Sequence, residues 1–273
     1  MKDMNLADQL DYKNPQCVSE FAQEIYENMR KEEESCMVDP DYLNKVQTEI
    51  KDTSRAFLIE WIIDVHRKFR LVPEALYVTQ YIIDQYMSRK KIMKSQLHLL
   101  GVSTLLIAAK YEEIYPPEIR DFLAVSENKF TKQNVLDMER EILLTLGFRV
   151  TAPSSYRFLQ RFRRLSVALN DDEVFFYAQY LQEIALLDAT LLKFKPSELA
   201  AAAMILSAKQ LKKINCWTKE MEKFTGMTEE QLREPLEEIK SLALEINPKF
   251  ISTLRYKFSK PEYLQVAKHQ FKF

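Results

Sequence analysis

Residues that commonly carry out chemistry occur in this sequence, but their spacing matches no familiar catalytic or metal-binding motif. The three histidines, His66, His98 and His269, lie far apart, and none forms the HxxxH or HExxH pair that binds zinc. The GxSxG segment of serine hydrolases and the phosphate loops GxxxxGK[ST] and GxGxxG do not occur. The sequence therefore predicts no catalytic residue, no metal site and no cofactor.

The adjacent acidic residues and the cysteines also indicate no catalytic or metal site. Glu112 with Glu113 and Asp171 with Asp172 come nearest to a carboxylate pair, but such neighbours are common at solvated helix ends. The cysteines, an odd number at unrelated spacings, fit neither a disulfide framework nor a zinc site and indicate a reducing compartment. The apolar stretch from Leu99 to Ala109 is too short to cross a bilayer. We expect a protein of the nucleus and cytoplasm with no membrane partner.

The composition predicts which elements hold these residues. The chain has 3 glycines in 273 residues, far below the usual ~7%. Few positions can adopt a positive φ, which argues against tight hairpins, whereas abundant Leu, Ala, Glu, Lys, Gln and Met favour helix. Because 39 basic and 40 acidic side chains give a net charge of -1, no global field attracts nucleic acid. The prediction is an all-α protein with no nucleic-acid partner.

Helical periodicity divides the chain into four parts. Residues 1–51 form an N-terminal segment with an amphipathic helix at Pro15–Glu34, and residues 256–273 form a C-terminal tail. Between them, Gly101 to Lys110 matches Ala200 to Lys209 without gaps, which suggests a duplicated five-helix unit. The fold class is thus two tandem five-helix bundles, at 52–150 and 151–255, preceded by one helix. Their predicted helices are Arg55–Phe69, Pro73–Met87, Ser95–Tyr111, Pro117–Val125, Thr131–Leu146, Ser154–Leu165, Asp172–Leu187, Ser197–Leu211, Trp217–Phe224 and Thr228–Leu244.

Three segments resemble a known family. They are SRAFLIEW at Ser54–Trp61, AAKYEEIYPP at Ala108–Pro117 and the Met138-Glu139 pair, and all are similar to the cyclin box, here the first bundle. The sequence of these segments most resembles mitotic cyclins, B type more than A type. The resemblance implies a non-catalytic regulatory subunit that binds and activates a cyclin-dependent Ser/Thr kinase and helps recruit substrates, controlling G2/M or mitotic progression.

The resemblance also implies roles for particular residues. Arg55 and Asp84 would form a buried structural ion pair between two helices. Lys110 and Glu139 would bind the kinase's mobile regulatory helix, surrounded by apolar side chains contributed by Phe21, Ile25, Tyr111, Leu143 and Phe148. The alternative is that Lys110 simply complements the dipole at a helix end and Glu139 lies on a polar face.

A second implied site is a shallow patch that docks substrates or inhibitors with a basic-x-Leu motif. On a helical wheel, Phe57, Leu58 and Trp61 belong to an apolar arc wider than one packing partner needs, and Asp64 lies one turn further. Ser54 stands where the family often has methionine and His98 where it often has glutamine, so we expect weaker or altered docking. The alternative is that Phe57 and Trp61 belong to the core.

Other functions remain open from the sequence. Arg157, Arg161, Arg163 and Arg164 would either bind an acidic or phosphorylated partner or form a solvated basic face. General transcription factor IIB and retinoblastoma-like proteins share the duplicated fold, although the net charge argues against DNA binding. A transcriptional cyclin is a closer rival, and a helical enzyme a distant one.

Overall fold

The computed structural model describes residues 5–166, 171–213 and 217–271 and contains only helices, turns and loops over those ranges. One sequence observation, the third cysteine at Cys216, lies outside the described residues. The α-helices are α1 Leu6–Leu10, α2 Ala22–Ser35, α3 Tyr42–Lys45, α4 Asp52–Phe69, α5 Pro73–Arg89, α6 Leu97–Glu112, α7 Ile119–Val125, α8 Lys132–Thr145, α9 Ser155–Leu165, α10 Asp172–Ala185, α11 Pro196–Gln210, α12 Lys219–Thr225, α13 Arg233–Glu245 and α14 Ser252–Phe258.

Two helical bundles account for most of the described chain, as the internal repeat predicts. In the first, α4, α5, α7 and α8 pack around α6, and in the second, α9, α10 and α13 pack around α11. Both central helices are buried along almost their whole length. Gly101 gives room to Leu58, because a Cβ atom there would lie 2.6 Å from Leu58 Cδ1 and the leucine side chain would have to shift. Among the described residues, no helix is both long and apolar enough to cross a membrane.

The N-terminal segment differs from the predicted single helix. Val18 adopts a left-handed φ of 48° and separates the 3₁₀ turn Pro15–Cys17 from the 3₁₀ turn Ser19–Phe21, which leads directly into α2. The apolar stripe also faces outward at Phe21 and Ile25, while Tyr26 and Glu33 are buried instead. Ser197 at the start of α11 donates to Glu33 through its amide and its hydroxyl, at 3.0 and 2.9 Å. A carboxylate at a helix N-terminus satisfies free N–H groups there, so α2 is anchored to the second bundle.

The C-terminal boundary at residue 255 also differs from the structure. Helix α14 runs through it, and Lys257 and Phe258 are buried where α14 packs against α4 and α10. Lys257 Nζ donates to both oxygens of Glu183 at 2.6 and 2.8 Å, and neither side chain reaches solvent appreciably. An ion pair in this setting needs a complete partner set to offset its desolvation. The described residues beyond 255 are therefore part of the domain and not a tail.

Histidine 66 makes the stability of this fold depend on pH. Burial, followed by the nearby charge of Lys257, lowers the pKa of His66 to about 3 from 6.5. Below pH 6.5 the unfolded chain binds a proton at His66 and the folded chain does not. The free energy of unfolding is therefore highest above pH 6.5 and falls as the pH is lowered towards 3. Lowering the pH from about 7.5 to about 5 should remove about 2 kcal/mol of unfolding free energy through this residue.

Urea unfolding of the native chain and of His66→Gln at both pH values checks this expectation. Glutamine keeps a donor for the Val72 carbonyl, which lies 2.9 Å from His66 Nε2, but it does not titrate. The pH-dependent loss should be smaller in the variant by about 2 kcal/mol. Equal losses in both proteins would assign the acid sensitivity to other groups.

Candidate functional site

The structure places Arg55 of α4 and Asp84 of α5 together as a buried, two-pronged ion pair. Arg55 Nε and Nη2 donate to Asp84 Oδ1 and Oδ2, each at 2.7 Å, and both side chains are almost fully buried. Although burial opposes its charged form, the pKa of Arg55 is raised because Asp84 lies beside it. The charge is therefore kept inside the protein by its partner.

Two further hydrogen bonds connect this ion pair to other parts of the chain. Tyr42, the first residue of α3 in the connector 36–51 between α2 and α4, donates its hydroxyl to Asp84 Oδ1 at 2.7 Å. Burial and the charge of Asp84 raise the pKa of Tyr42, so the hydroxyl remains a donor. Arg55 Nη1 also donates to the carbonyl of Leu186 at the end of α10, at 2.8 Å. The pair thus joins the connector, the first bundle and the second bundle.

Lys110 and Glu139 meet on the surface of the first bundle. Lys110 lies in the last turn of α6 and Glu139 on α8, and Lys110 Nζ lies 2.7 and 2.9 Å from the two carboxylate oxygens. Their exposures differ, at 48% for the lysine side chain and 13% for the glutamate. Glu139 is therefore placed to hold Lys110, which faces solvent with a donor to spare.

The apolar residues predicted around this pair fall into two groups. Tyr111, Phe148, Phe21 and Ile25 are exposed, whereas Leu143 is half-buried and packs against the core. Phe148 is unusual because its φ is 61°, in the left-handed region that bulky residues avoid. Its amide donates to the carbonyl of Leu143 at 2.9 Å and closes α8. This left-handed residue follows Gly147, which is also left-handed, and it leaves the Phe148 ring exposed at the end of α8.

Sequence reasoning missed several residues on this surface. Ile114 and Tyr115 follow α6 directly and are 88% and 91% exposed, and Leu144 on α8 is also exposed. Their signal in the sequence is a pair of apolar residues immediately before two prolines, outside any helical period. The segment that carried the family resemblance therefore contributes exposed apolar surface as well as Lys110.

The predicted docking patch is present only in part. Phe57 is exposed, and Trp61 is half-buried with its ring centroid 4.3 Å from that of His98. Leu58 differs from the prediction, because it is buried against Gly101 of α6 and presents no surface to a ligand. Phe250 from the second bundle, which the sequence did not suggest, lies 4.6 Å from Phe57 between ring centroids. The patch is therefore flanked by both bundles.

The two polar residues of the patch differ in their contacts: Asp64 forms ion pairs, whereas His98 Nε2 has no hydrogen-bond partner. Asp64 accepts from Arg67 and Lys68 at 2.7 Å each, and despite partial burial these cations lower its pKa. It therefore has less capacity for a ligand's basic residue than the sequence suggested. His98 Nε2 is buried without a hydrogen-bond partner, and burial, followed by the charge of Lys129, lowers the pKa of His98. The lowered pKa keeps the ring uncharged near neutral pH on this side of the patch.

Acidic side chains pair with all four arginines of the predicted basic face of α9, although Arg157 and Arg164 stay 47% and 50% exposed. Arg161 binds Asp8, and Arg164 and Arg157 reach Asp11 and Glu112. Arg163 binds Asp172, one of the adjacent acids considered above. Another, Glu113, accepts the amide of Val72 at 2.6 Å, and Asp171 caps α10. These acids have structural partners, and the described residues hold no cluster of metal-binding side chains.

Comparison with known proteins places this architecture in one family. The family models "Cyclin, N-terminal domain" and "Cyclin, C-terminal domain" match residues 24–151 and 153–272. Cyclin-B1-1 of Oryza sativa subsp. japonica is 38% identical over 228 residues, or 82% of this chain and 50% of the relative. The G2/mitotic-specific cyclin-B of Marthasterias glacialis is 37% identical over 262 residues, covering 95% and 66%. Cyclin-A1-1 of Arabidopsis thaliana is 35% identical over 259 residues, covering 93% and 56%.

Solved structures agree on the fold. The viral cyclin from herpesvirus saimiri superposes with a TM-score of 0.72 at 19% identity, covering 83% of this chain and 99% of that one. A chain of the yeast RNA Pol II CTD kinase CTDK-1 complex gives a TM-score of 0.62 at 14% identity, covering 77% and 74%. This chain spans about half the length of the first curated relatives it matches.

Removing Arg55 should be far more damaging than removing an exposed arginine. Arg55→Ala leaves Asp84 charged and buried, and we expect a loss of about 3–5 kcal/mol of unfolding free energy. Arg120 is the matched control, because its pair with Glu118 is exposed on both sides and Arg120→Ala should cost less than about 1 kcal/mol. Denaturant unfolding measures both variants. Similar losses in the two proteins would contradict a central role for the buried pair.

Proposed function

The chain belongs to the cyclin family, and we propose that it is a regulatory subunit that binds and activates a cyclin-dependent Ser/Thr protein kinase. The observation that carries the proposal is the surface around Lys110, where a positioned cation is accompanied by exposed aromatic and aliphatic side chains at the ends of α6 and α8. Large exposed apolar patches on a folded chain are typical of protein interfaces. In this proposal the chain supplies contacts and no catalytic group.

The proposed mechanism is a shift in the kinase's conformational population. A protein kinase is active only when a lysine on strand β3 pairs with a glutamate on its αC helix. A partner that binds this arrangement more tightly than the inactive one increases its population by that difference in affinity. Lys110 can donate to backbone carbonyls of the kinase helix while Glu139 keeps it in place, and Phe148 and Tyr111 add apolar contact area.

We further propose a mitotic role and substrate recruitment for this subunit. The role in G2 or mitosis is supported by the similarity to proteins named G2/mitotic-specific cyclin-B. Recruitment would use Phe57 and Trp61 to hold the leucine of a basic-x-Leu motif, with His98 forming a neutral wall. We also propose that it occurs in both nucleus and cytoplasm, since its cysteine spacing fits no disulfide framework and favours a reducing compartment.

Kinase activation tests the main proposal. A purified cyclin-dependent kinase should gain activity toward a histone-type substrate when the native chain is added. Lys110→Ala/Glu139→Ala should weaken kinase binding roughly 10- to 100-fold, or about 1.4–2.8 kcal/mol. Lys209→Ala/Glu229→Ala is the matched control, because Lys209 occupies the repeat position of Lys110 and its pair with Glu229 is exposed.

The two variants separate the possible outcomes of this experiment. Loss of binding in the first pair alone, with unchanged helicity by circular dichroism, supports the kinase surface around Lys110. Equal behaviour of both pairs would remove that surface from the proposal. Failure of the native chain to bind or activate any of several such kinases would sink the proposed function and favour a transcription-factor role.

Substrate docking is tested separately with a fluorescent peptide that contains a basic-x-Leu motif. Trp61→Ala removes the largest apolar side chain of the patch and should weaken peptide binding roughly tenfold. Phe250→Ala uncovers Phe57 and should leave binding unchanged or strengthen it. Fluorescence polarisation measures both, and unchanged affinity in Trp61→Ala would show that peptides do not use this patch.

A further inference from the structure

The short helix α1, which precedes the region matched by the cyclin models, is held against the second bundle in a defined position. Asp8 accepts from Arg161 Nη1 and Nη2 at 2.5 and 2.7 Å, and the carboxylate is nearly buried. Asn5 caps the helix by accepting the amide of Asp8 at 2.9 Å. A helix of five residues is not stable alone. Its conformation therefore depends on this ion pair and on the surface beneath it.

The same face of α9 connects α1 to the proposed kinase surface. Arg157, Arg161 and Arg164 follow one another at helical spacing, and they reach Glu112, Asp8 and Asp11 in that order. Glu112 is the last residue of α6, directly after Tyr111. One helical turn advances 5.4 Å, so α1 lies about one turn of α9 away from the end of α6.

The outward face of α1 is apolar. Leu6 and Leu10 are separated by four residues and share a face, whereas Asp8 between them points to the opposite side. They are 61% and 68% exposed. Tyr12, also exposed, donates to Glu20 at 2.9 Å and links this segment to the turn that holds Phe21. Single exposed leucines are ordinary, but here α1 contacts the 3₁₀ turn Ser19–Phe21, which carries the exposed Phe21 of the predicted kinase surface.

We propose that α1 is an additional kinase-binding element, in which Leu6 and Leu10 contact the kinase subunit and the Asp8–Arg161 pair holds them in position. This inference rests on the proposed function, because the occupant is the same kinase. Most of the large apolar side chains exposed in the described chain lie on α1, on the turns and helix that follow it, or beside Lys110. One continuous partner surface would cover all of them, and the contact would extend the interface beyond the cyclin box.

Direct binding of the kinase tests the role of α1. Leu6→Ser/Leu10→Ser should weaken binding roughly tenfold, since buried apolar anchors carry most interface energy. Leu244→Ser/Leu264→Ser is the matched control, because both leucines are exposed but belong to the second bundle and the segment after α14. Asp8→Asn should give a smaller loss, roughly threefold, because it removes one charge from the pair that positions α1. Calorimetry gives the dissociation constants and thermal melting checks the fold.

The outcomes for α1 and for the proposed function are distinguishable. A loss confined to the α1 variants and Lys110→Ala/Glu139→Ala, at an unchanged melting temperature, supports both. Native affinity in Leu6→Ser/Leu10→Ser, with weakened binding in the Lys110 and Glu139 variant, overturns the role of α1 and leaves the proposed function standing. If the native chain binds none of the kinases, both proposals fall together.

Discussion

The buried pair of Arg55 and Asp84 is the interaction on which the arrangement of the molecule depends. Its guanidinium and carboxylate have no access to water, so each must find all its partners within the protein. Those partners come from the connector through Tyr42 and from the second bundle through the carbonyl of Leu186. A buried charge with an incomplete partner set is costly. The two bundles and the connector are consequently held in one relative position.

That position decides which residues share a surface. With the second bundle docked, α9 lies beside the end of α6, and α2 is anchored to the second bundle by Tyr26 and Glu33. Tyr26 and Glu33 are seven residues apart and face inward, which turns Phe21 and Ile25 outward. The candidate kinase surface is therefore composite. The first bundle contributes Lys110, while the N-terminal segment is held in place by the second bundle.

The candidate kinase surface contains an unfavourable backbone conformation and apolar side chains that are exposed to solvent. Phe148 adopts a left-handed backbone, and Ile114 and Tyr115 project into solvent beside two prolines. Each feature costs free energy in the isolated chain. In the proposed complex the apolar side chains would be covered by the kinase, which offsets that cost. The buried pairs perform the opposite task, because they maintain the geometry and are not available to a partner.

Much of the fold and part of the site were predictable from local patterns. The scarcity of glycine, the apolar periodicity and the internal repeat led to an all-helical protein with two bundles, because these properties are encoded residue by residue. The resemblance in the Ser54–Trp61 and Ala108–Pro117 segments led to Lys110, Glu139 and the Arg55–Asp84 pair.

Three features could not be predicted from local patterns. They are the exposed positions of Phe21 and Ile25, the burial of Leu58 and the packing of the residues after 255. They depend on contacts between segments far apart in the chain, such as Glu33 with Ser197, Leu58 with Gly101, Phe57 with Phe250 and Lys257 with Glu183. Helical periodicity shows that a residue has an apolar neighbourhood, but only the docked bundles decide which segment fills it and which side chains remain free for a partner.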